Sequence, residues 1–265
     1  MKLSTCLAFL LASLLIGLDA CHQPAPVPAQ KTAPCALLSF LAINKSSDPN
    51  LARIREETVE IAGQQVRIGE SSRIEYRFDA QNRPIGTAYS ARGYSDFSGS
   101  SILAYSSGQL TVKTIYSSGG VEEVVFPLNE RGLIADATYN ADGFTIESGN
   151  DQYRTTYTIE NGNIIRKETR AVADQSLFGT VLYEYDLNQP NLPNVEPYKG
   201  RNSQNLPVKE TYINYSLNKD GPPVTTVYEY TYTFDSAGRP IRRFGKLNDG
   251  KVNYEVVDFA YTCRQ

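Results

Sequence analysis

The sequence predicts an all-β domain, an antiparallel meander of about 14–16 hairpin-linked strands curled into an open barrel or half-barrel, with a β-sandwich as the alternative. Period-two patterning is the first observation: Ile74, Tyr76 and Phe78 alternate with Arg73, Glu75 and Arg77, and Tyr228, Tyr230, Tyr232 and Phe234 alternate with Glu229, Thr231 and Thr233. Each such strand has one apolar face to bury and one face for water. Turn signals are the second, at Ala62-Gly63, Asn82, Gly119-Gly120, Gly132, Asp142-Gly143, Asn161-Gly162, Asp220-Gly221, Gly238 and Asp249-Gly250. So many one-faced strands cannot stay flat, because strand twist accumulates. Curling is favoured over a sandwich because hairpins place sequence neighbours side by side, and only residues 186–207 offer a connection long enough for a Greek-key crossover. The rings of Tyr76, Phe78, Tyr183, Tyr185, Tyr230, Tyr232 and Phe234 are expected inside. Near the end, Val252, Tyr254 and Val256 occupy one phase and Val257, Phe259 and Tyr261 the other, which predicts a β-bulge near Val256.

Residues 1–20 have the form of a lipoprotein signal peptide. Lys2 supplies the positive start, Leu7 to Leu18 an apolar stretch too short to span a bilayer, and Leu18-Asp19-Ala20-Cys21 resembles a lipobox. In that reading Cys21 becomes the acylated first residue of the mature chain and binds it to the lipid bilayer. The alternative is an ordinary secretory signal cut near Ala20. No other segment approaches 18 consecutive apolar residues. Residues 21–34 then form the lipidated cysteine and a tether, in which Pro24, Pro26, Pro28 and Pro34 favour extended polyproline II. Residues 35–265 are expected to form a single β domain. These features imply a lipid-anchored address in the cell envelope, at the outer membrane, with the periplasmic or surface face left open.

The whole chain carries 26 basic and 29 acidic residues. Removal of Lys2 and Asp19 leaves the net charge at −3, with no basic stripe of the kind nucleic acid requires. Among four cysteines, Cys6 leaves with the signal and Cys21 is committed to lipid. Cys35 and Cys263 remain at the two ends of the domain, in a protein exported from the reducing cytoplasm, and a disulfide between them would tie the chain ends. Two unpaired buried thiols are the alternative. A metal site is not expected, since two isolated cysteines without histidine cannot complete one.

One hairpin recurs. Phe78-Asp79-Ala80-Gln81-Asn82-Arg83-Pro84-Ile85 matches Phe234-Asp235-Ser236-Ala237-Gly238-Arg239-Pro240-Ile241 at five of eight positions, with looser copies at 128–134, at 159–164 and at Tyr183-Glu184-Tyr185-Asp186. The physics is a strand ending in an aromatic, an Asp able to bond its own turn, a Gly or Asn at the left-handed position, and a return strand. This pattern resembles the YD-type repeat of Rhs-like proteins, and in a lipidated chain of this size it is similar to uncharacterised YD-repeat lipoproteins of the Bacteroidota type. The resemblance covers roughly residues 35–265 and implies hairpins, not chemistry.

Catalytic equipment is sparse. The single histidine, His22, lies next to Cys21 and outside the expected domain, which excludes a histidine triad or histidine metal cluster within it. Glu122-Glu123 and Glu56-Glu57 are adjacent strand residues that point to opposite faces, so neither is a converging glycosidase pair. No phosphate-binding loop or nucleophile elbow is present, and no cofactor is expected. The longest non-periodic stretch, Asp186 to Pro207, is rich in Pro and Asn; loops of that length are functional or packed as crossovers. Tyr198, Lys199 and Arg201 near its middle are candidates to contact a ligand or partner, such as another envelope protein or a glycan. Two functions remain: an envelope lipoprotein with a non-catalytic structural or binding domain, or a carboxylate-based enzyme acting on polysaccharide.

Overall fold

The computed structural model describes residues 35–44, 56–61, 64–91, 97–216, 221–248 and 252–263. Its strands are β1 (Cys35–Asn44), β2 (Glu56–Ile61), β3 (Gln64–Phe78), β4 (Pro84–Ala91), β5 (Phe97–Ser106), β6 (Gln109–Tyr116), β7 (Val121–Pro127) and β8 (Thr138–Tyr139) in the first half. The second half adds β9 (Thr145–Gly149), β10 (Tyr153–Glu160), β11 (Asn163–Ala171), β12 (Leu177–Pro190), β13 (Asn205–Asn214), β14 (Val224–Phe234), β15 (Pro240–Asn248) and β16 (Val252–Cys263). All pair antiparallel in one open sheet, in the order β7-β6-β5-β4-β3-β1-β16-β15-β14-β13-β12-β11-β10-β9-β8, with β2 off this path against β3. The all-β meander is therefore what the chain forms, with two departures from sequence order: β1 pairs with β3 and β16 and not with β2, and the order breaks between β7 and β8.

That break shows that the sheet is curved. The path has fifteen strands, so a flat sheet at about 4.8 Å per strand would hold β7 and β8 roughly 67 Å apart. Pro127 and Thr138 are joined by eleven residue steps, and a fully extended chain covers at most about 3.6 Å per step, roughly 40 Å. The two edges must curl towards one another. The long segment between β12 and β13 confirms which face is concave: Leu192 and Val195 pack against Val257 and Phe259, as Tyr76, Tyr232 and Tyr261 do, while Tyr198 packs with Leu103, Leu110 and Ile134. One short segment can touch β5, β6 and β16 only where these strands converge.

The aromatic phase lies on this concave face, as the alternation predicts. Tyr76, Phe78, Tyr183, Tyr185 and Tyr232 are half-buried and Tyr230 is buried. Phe234 departs from the expectation: its ring is 38% exposed, because it ends β14 at the rim, where the register shifts between Thr233 and Phe234. The opposite phase carries exposed charge, including Arg73, Glu75 and Arg77 on β3 and Arg154 and Glu160 on β10.

The predicted bulge near Val256 is absent. The β15–β16 register runs unbroken from Arg242↔Asp258 to Asn248↔Val252, and the irregularity against β1 lies at Leu37/Ser39. Val256 and Val257 are nevertheless both fully buried. A second layer explains this: Glu57 of β2 forms an ion pair with Arg242 of β15, three places along the sheet from the strand that β2 pairs with. β2 therefore crosses the outer face there, and both phases of β16 are apolar because both are covered.

Candidate functional site

The repeated hairpin is a hydrogen-bonding unit that occurs four times on one rim. In the first copy Asp79 Oδ1 accepts from the amides of Gln81 and Arg83, both at 2.9 Å, its Oδ2 takes the Arg83 Nε at 2.8 Å, and Asn82 sits at φ 59°. Asp235 repeats this with Ala237, Arg239 and Gly238. Asn129 and Asn140 build the same turn with an amide oxygen, accepting from Leu133 at 3.1 Å and Phe144 at 2.9 Å, with Gly132 and Gly143 in the left-handed region. The 140–144 copy is one that sequence matching overlooks, since it shares only Asn, Gly and spacing. The segment at 159–164 is instead a two-residue turn with both Asn161 and Gly162 at positive φ, the type I′ hairpin geometry.

The connection from β12 to β13 closes over this rim. The Ile134 amide donates to the Tyr198 carbonyl at 2.9 Å, the Arg201 amide to the Gly143 carbonyl at 2.9 Å and the Gln204 amide to the Gly162 carbonyl at 2.9 Å. Thr145 Oγ1 donates to the Lys199 carbonyl at 2.8 Å, and the Tyr139 hydroxyl to the Ile134 carbonyl at 3.1 Å. Asn163 Nδ2 donates to Asn205 Oδ1 and its Oδ1 accepts from the Asn205 backbone amide, both at 3.0 Å. The segment thus spans the gap between the β7 and β8 edges and satisfies its own backbone against both sides, which buried backbone requires. Gly200 is essential to the path: it sits at φ 105°, and a β-carbon there would lie 2.9 Å from the Gly143 oxygen, Thr145 Oγ1 and Tyr139 Cε1.

The three residues singled out in this segment separate. Tyr198 is buried in the apolar cluster with Leu103 and Leu110, and its hydroxyl donates to Glu196 Oε1 at 3.1 Å. Burial, then the nearby Glu196 charge, push its phenol well above the usual range. Its ring is packed into the fold, and the residue lines one side of an open cleft. Lys199 is exposed and pairs with Glu196 at 2.8 Å. Arg201 is exposed, with its guanidinium 5.3 Å from the Phe144 ring centre. Cys21 lies outside the described residues, as does the Pro-rich tether. Cys35 and Cys263 face each other in the β1–β16 register.

An open cleft of about 670 Å³ lies beside Tyr198, between the β5–β6 turn and the 128–133 turn. Tyr105 and Leu128 line it, and Arg83 and Arg131 flank it. Arg83 stacks over Tyr105 at 5.0 Å while its Nε stays with Asp79. Arg131 donates to the carbonyls of Asn140 at 2.9 Å and Ala141 at 3.2 Å. Sequence reading misses both as site residues; Arg83 stands four residues after Asp79, as Arg239 does after Asp235, and that repetition is the available signal, whereas Arg131, two residues after Asn129, has no counterpart in the other copies. The volume falls within the range of small-molecule sites. Among the described residues, no group of three or more His, Cys, Asp or Glu side chains is placed to hold a metal ion.

No family model matches the chain, and no curated protein is similar to it in sequence. Solved structures to which the chain is similar include a porin-like protein from Bacteroides uniformis, at 12% identity and a TM-score of 0.46, covering 85% of this chain and 98% of that one. A porin-like protein from Bacteroides vulgatus is similar at 10% identity and a TM-score of 0.33, covering 86% of this chain and 98% of the other.

Proposed function

We propose that this chain is an envelope lipoprotein, held at the outer membrane by acylated Cys21, whose β domain is a non-catalytic structural or binding module. The observation that carries the address is the ordered sequence of Lys2, the apolar Leu7–Leu18 stretch and Leu18-Asp19-Ala20-Cys21. The binding role draws support from how the carboxylates near the rim are used. Glu196 holds Tyr198 and Lys199, Asp79 and Asp235 hold their own turns, and Glu255 faces Arg243 at 3.4 Å. An acid engaged in a turn or ion pair is poorly placed to transfer protons. A Cys35–Cys263 disulfide belongs to the same reading, as does a contact surface on the basic rim around Arg83, Arg131, Lys199 and Arg201 for another envelope protein or a glycan.

Membrane fractionation of the Cys21→Ser variant tests the address. Release into the soluble fraction is the expected result, and unchanged retention would overturn the lipid anchor.

A further inference from the structure

The register of the second half of the sheet gathers a polar, aromatic patch on the concave face. Tyr157 pairs with Lys167 across β10 and β11, Lys167 with Val181, and Val181 with Tyr212. One step along, Tyr183 pairs with Glu210 and Glu210 with Tyr228. Directly opposed residues share a face, so six polar or aromatic side chains stand together away from the segment that covers the rim. The Tyr212 ring packs edge-on to Tyr228 at 5.6 Å, and Tyr228 stacks on Tyr230 at 6.3 Å. Tyr212 remains 38% exposed, and Tyr157, Lys167, Tyr183, Glu210 and Tyr228 are half-buried.

Lys167 is the unusual member. Its ammonium lies 5.8 Å from the Tyr157 ring centre and 5.1 Å from that of Tyr183, and among the described residues no carboxylate stands within ion-pair distance of it. Cation–π contact with two rings offsets part of its desolvation, and among the described residues no side-chain or backbone acceptor takes its three N–H donors, which are left to water or a ligand. Burial accordingly lowers its affinity for the proton, with Glu210 acting the other way. Glu210 is the complementary acceptor. It takes the Tyr212 hydroxyl, and a carboxylate has lone pairs for further donors. In this part of the face Lys167 stands against Glu210 and Arg243 against Glu255, so the patch itself carries no excess of one sign to select an ion.

We propose that this patch binds a neutral carbohydrate chain: the exposed Tyr212 ring, with Tyr183 and Tyr228 beside it, offers an aromatic surface to sugar C–H groups, Lys167 donates to a hydroxyl oxygen, and Glu210 accepts a hydroxyl proton. A sugar hydroxyl both donates and accepts, which suits a donor with no protein partner beside a partly used acceptor on an aromatic floor. The inference rests on the binding-module reading and names its ligand class.

The chain has 18 tyrosines and no tryptophan, so its intrinsic emission reports directly on tyrosine environments. Full-length protein, extracted in a detergent without sugar headgroups, is titrated with cello-oligosaccharides, malto-oligosaccharides and oligogalacturonate. A neutral series is expected to change tyrosine emission with an affinity independent of salt. Tyr183→Ala and Lys167→Met are each expected to weaken it about tenfold or more, equivalent to about 1.4 kcal/mol. Lys167→Arg, which keeps the donors, retains binding, as does Glu229→Ala on the opposite face. A thermal melt of each variant confirms folding. Lack of response to both neutral series, tighter salt-dependent binding of oligogalacturonate, or wild-type affinity in the folded Lys167→Met and Tyr183→Ala variants would each overturn the proposal. Failure here leaves the membrane address intact, since fractionation of Cys21→Ser reads that separately.

Discussion

Cys35 and Cys263 stand directly opposite each other where the first strand of the domain pairs with the last. Opposed residues on antiparallel strands have α-carbons about 4.5–5.5 Å apart, inside the range of roughly 4.4–6.8 Å that a disulfide spans. In an oxidising compartment the two are therefore predicted to form a bridge. Peptide mapping without reductant should recover them as one linked pair. Reduction should lower stability by up to about 5 kcal/mol on the chain-entropy argument for so long a loop. Two free thiols in protein isolated from the envelope would contradict this.

Gly200→Ala tests the path of the covering segment. A φ of 105° strains any side chain, and the new methyl would meet three atoms at 2.9 Å. A loss of about 2–4 kcal/mol in chemical denaturation is expected from strain and contact together. Gly132→Ala is the matched comparison: it also has positive φ, at 74°, but open space around the added carbon. Its cost should be confined to about 1–2 kcal/mol.

The two Asp turns predict a pH dependence. At Asp79 the amide and side chain of Arg83 and the amide of Gln81 outweigh desolvation, and at Asp235 the Arg239 amide leads; both carboxyls are held below their usual range. A carboxyl depressed in the folded state contributes stability above its unfolded value of about 3.9 and loses it as the pH falls through the folded value. Urea midpoints should therefore decline as the pH drops below about 4. Asp235→Asn should flatten part of that decline while keeping the turn, because Asn129 and Asn140 already build the same geometry with an amide oxygen.

Tyr232 joins the concave core to β13. Its ring packs with Val257 and Phe259, and its hydroxyl donates to the Pro207 carbonyl at 2.8 Å. Burial comes first among the causes that push its phenol up to about 12. Tyr232→Ala should cost about 2–4 kcal/mol, and Tyr232→Phe about 1 kcal/mol for the lost hydrogen bond. Phe234→Ala should cost less than Tyr232→Ala, because its ring is 38% exposed. Thermal unfolding of the three variants decides the order.

The parts of this fold that are legible in the sequence are those set by neighbours. Alternation along Arg73 to Phe78 sets which residues face inward, and Asp79 or Asp235 with a left-handed residue three positions on sets the turn. Long-range placement leaves no such trace. Nothing near Val256 signals that β2 crosses the outer face, so two apolar phases read as a bulge when the cause is a second layer. Nothing in Pro127 to Thr138 marks a place where successive strands fail to pair. Tyr198 sits among Pro, Lys and Arg like a surface residue and is buried by strands roughly 90 residues earlier. Lys167 and Glu210 share a face only once the β11–β12–β13 register is known.

The account turns on the segment between β12 and β13 being a structural closure of a curved, open sheet. Native-state hydrogen exchange measures this directly, because the amides of Ile134, Arg201 and Gln204 each donate to a carbonyl across the rim at 2.9 Å. If the closure is part of the folded core, these amides exchange with protection close to that of the β12–β13 ladder, since they open only in large-scale unfolding. Exchange of all three at the rate of an exposed loop, with the strands still protected, would contradict it.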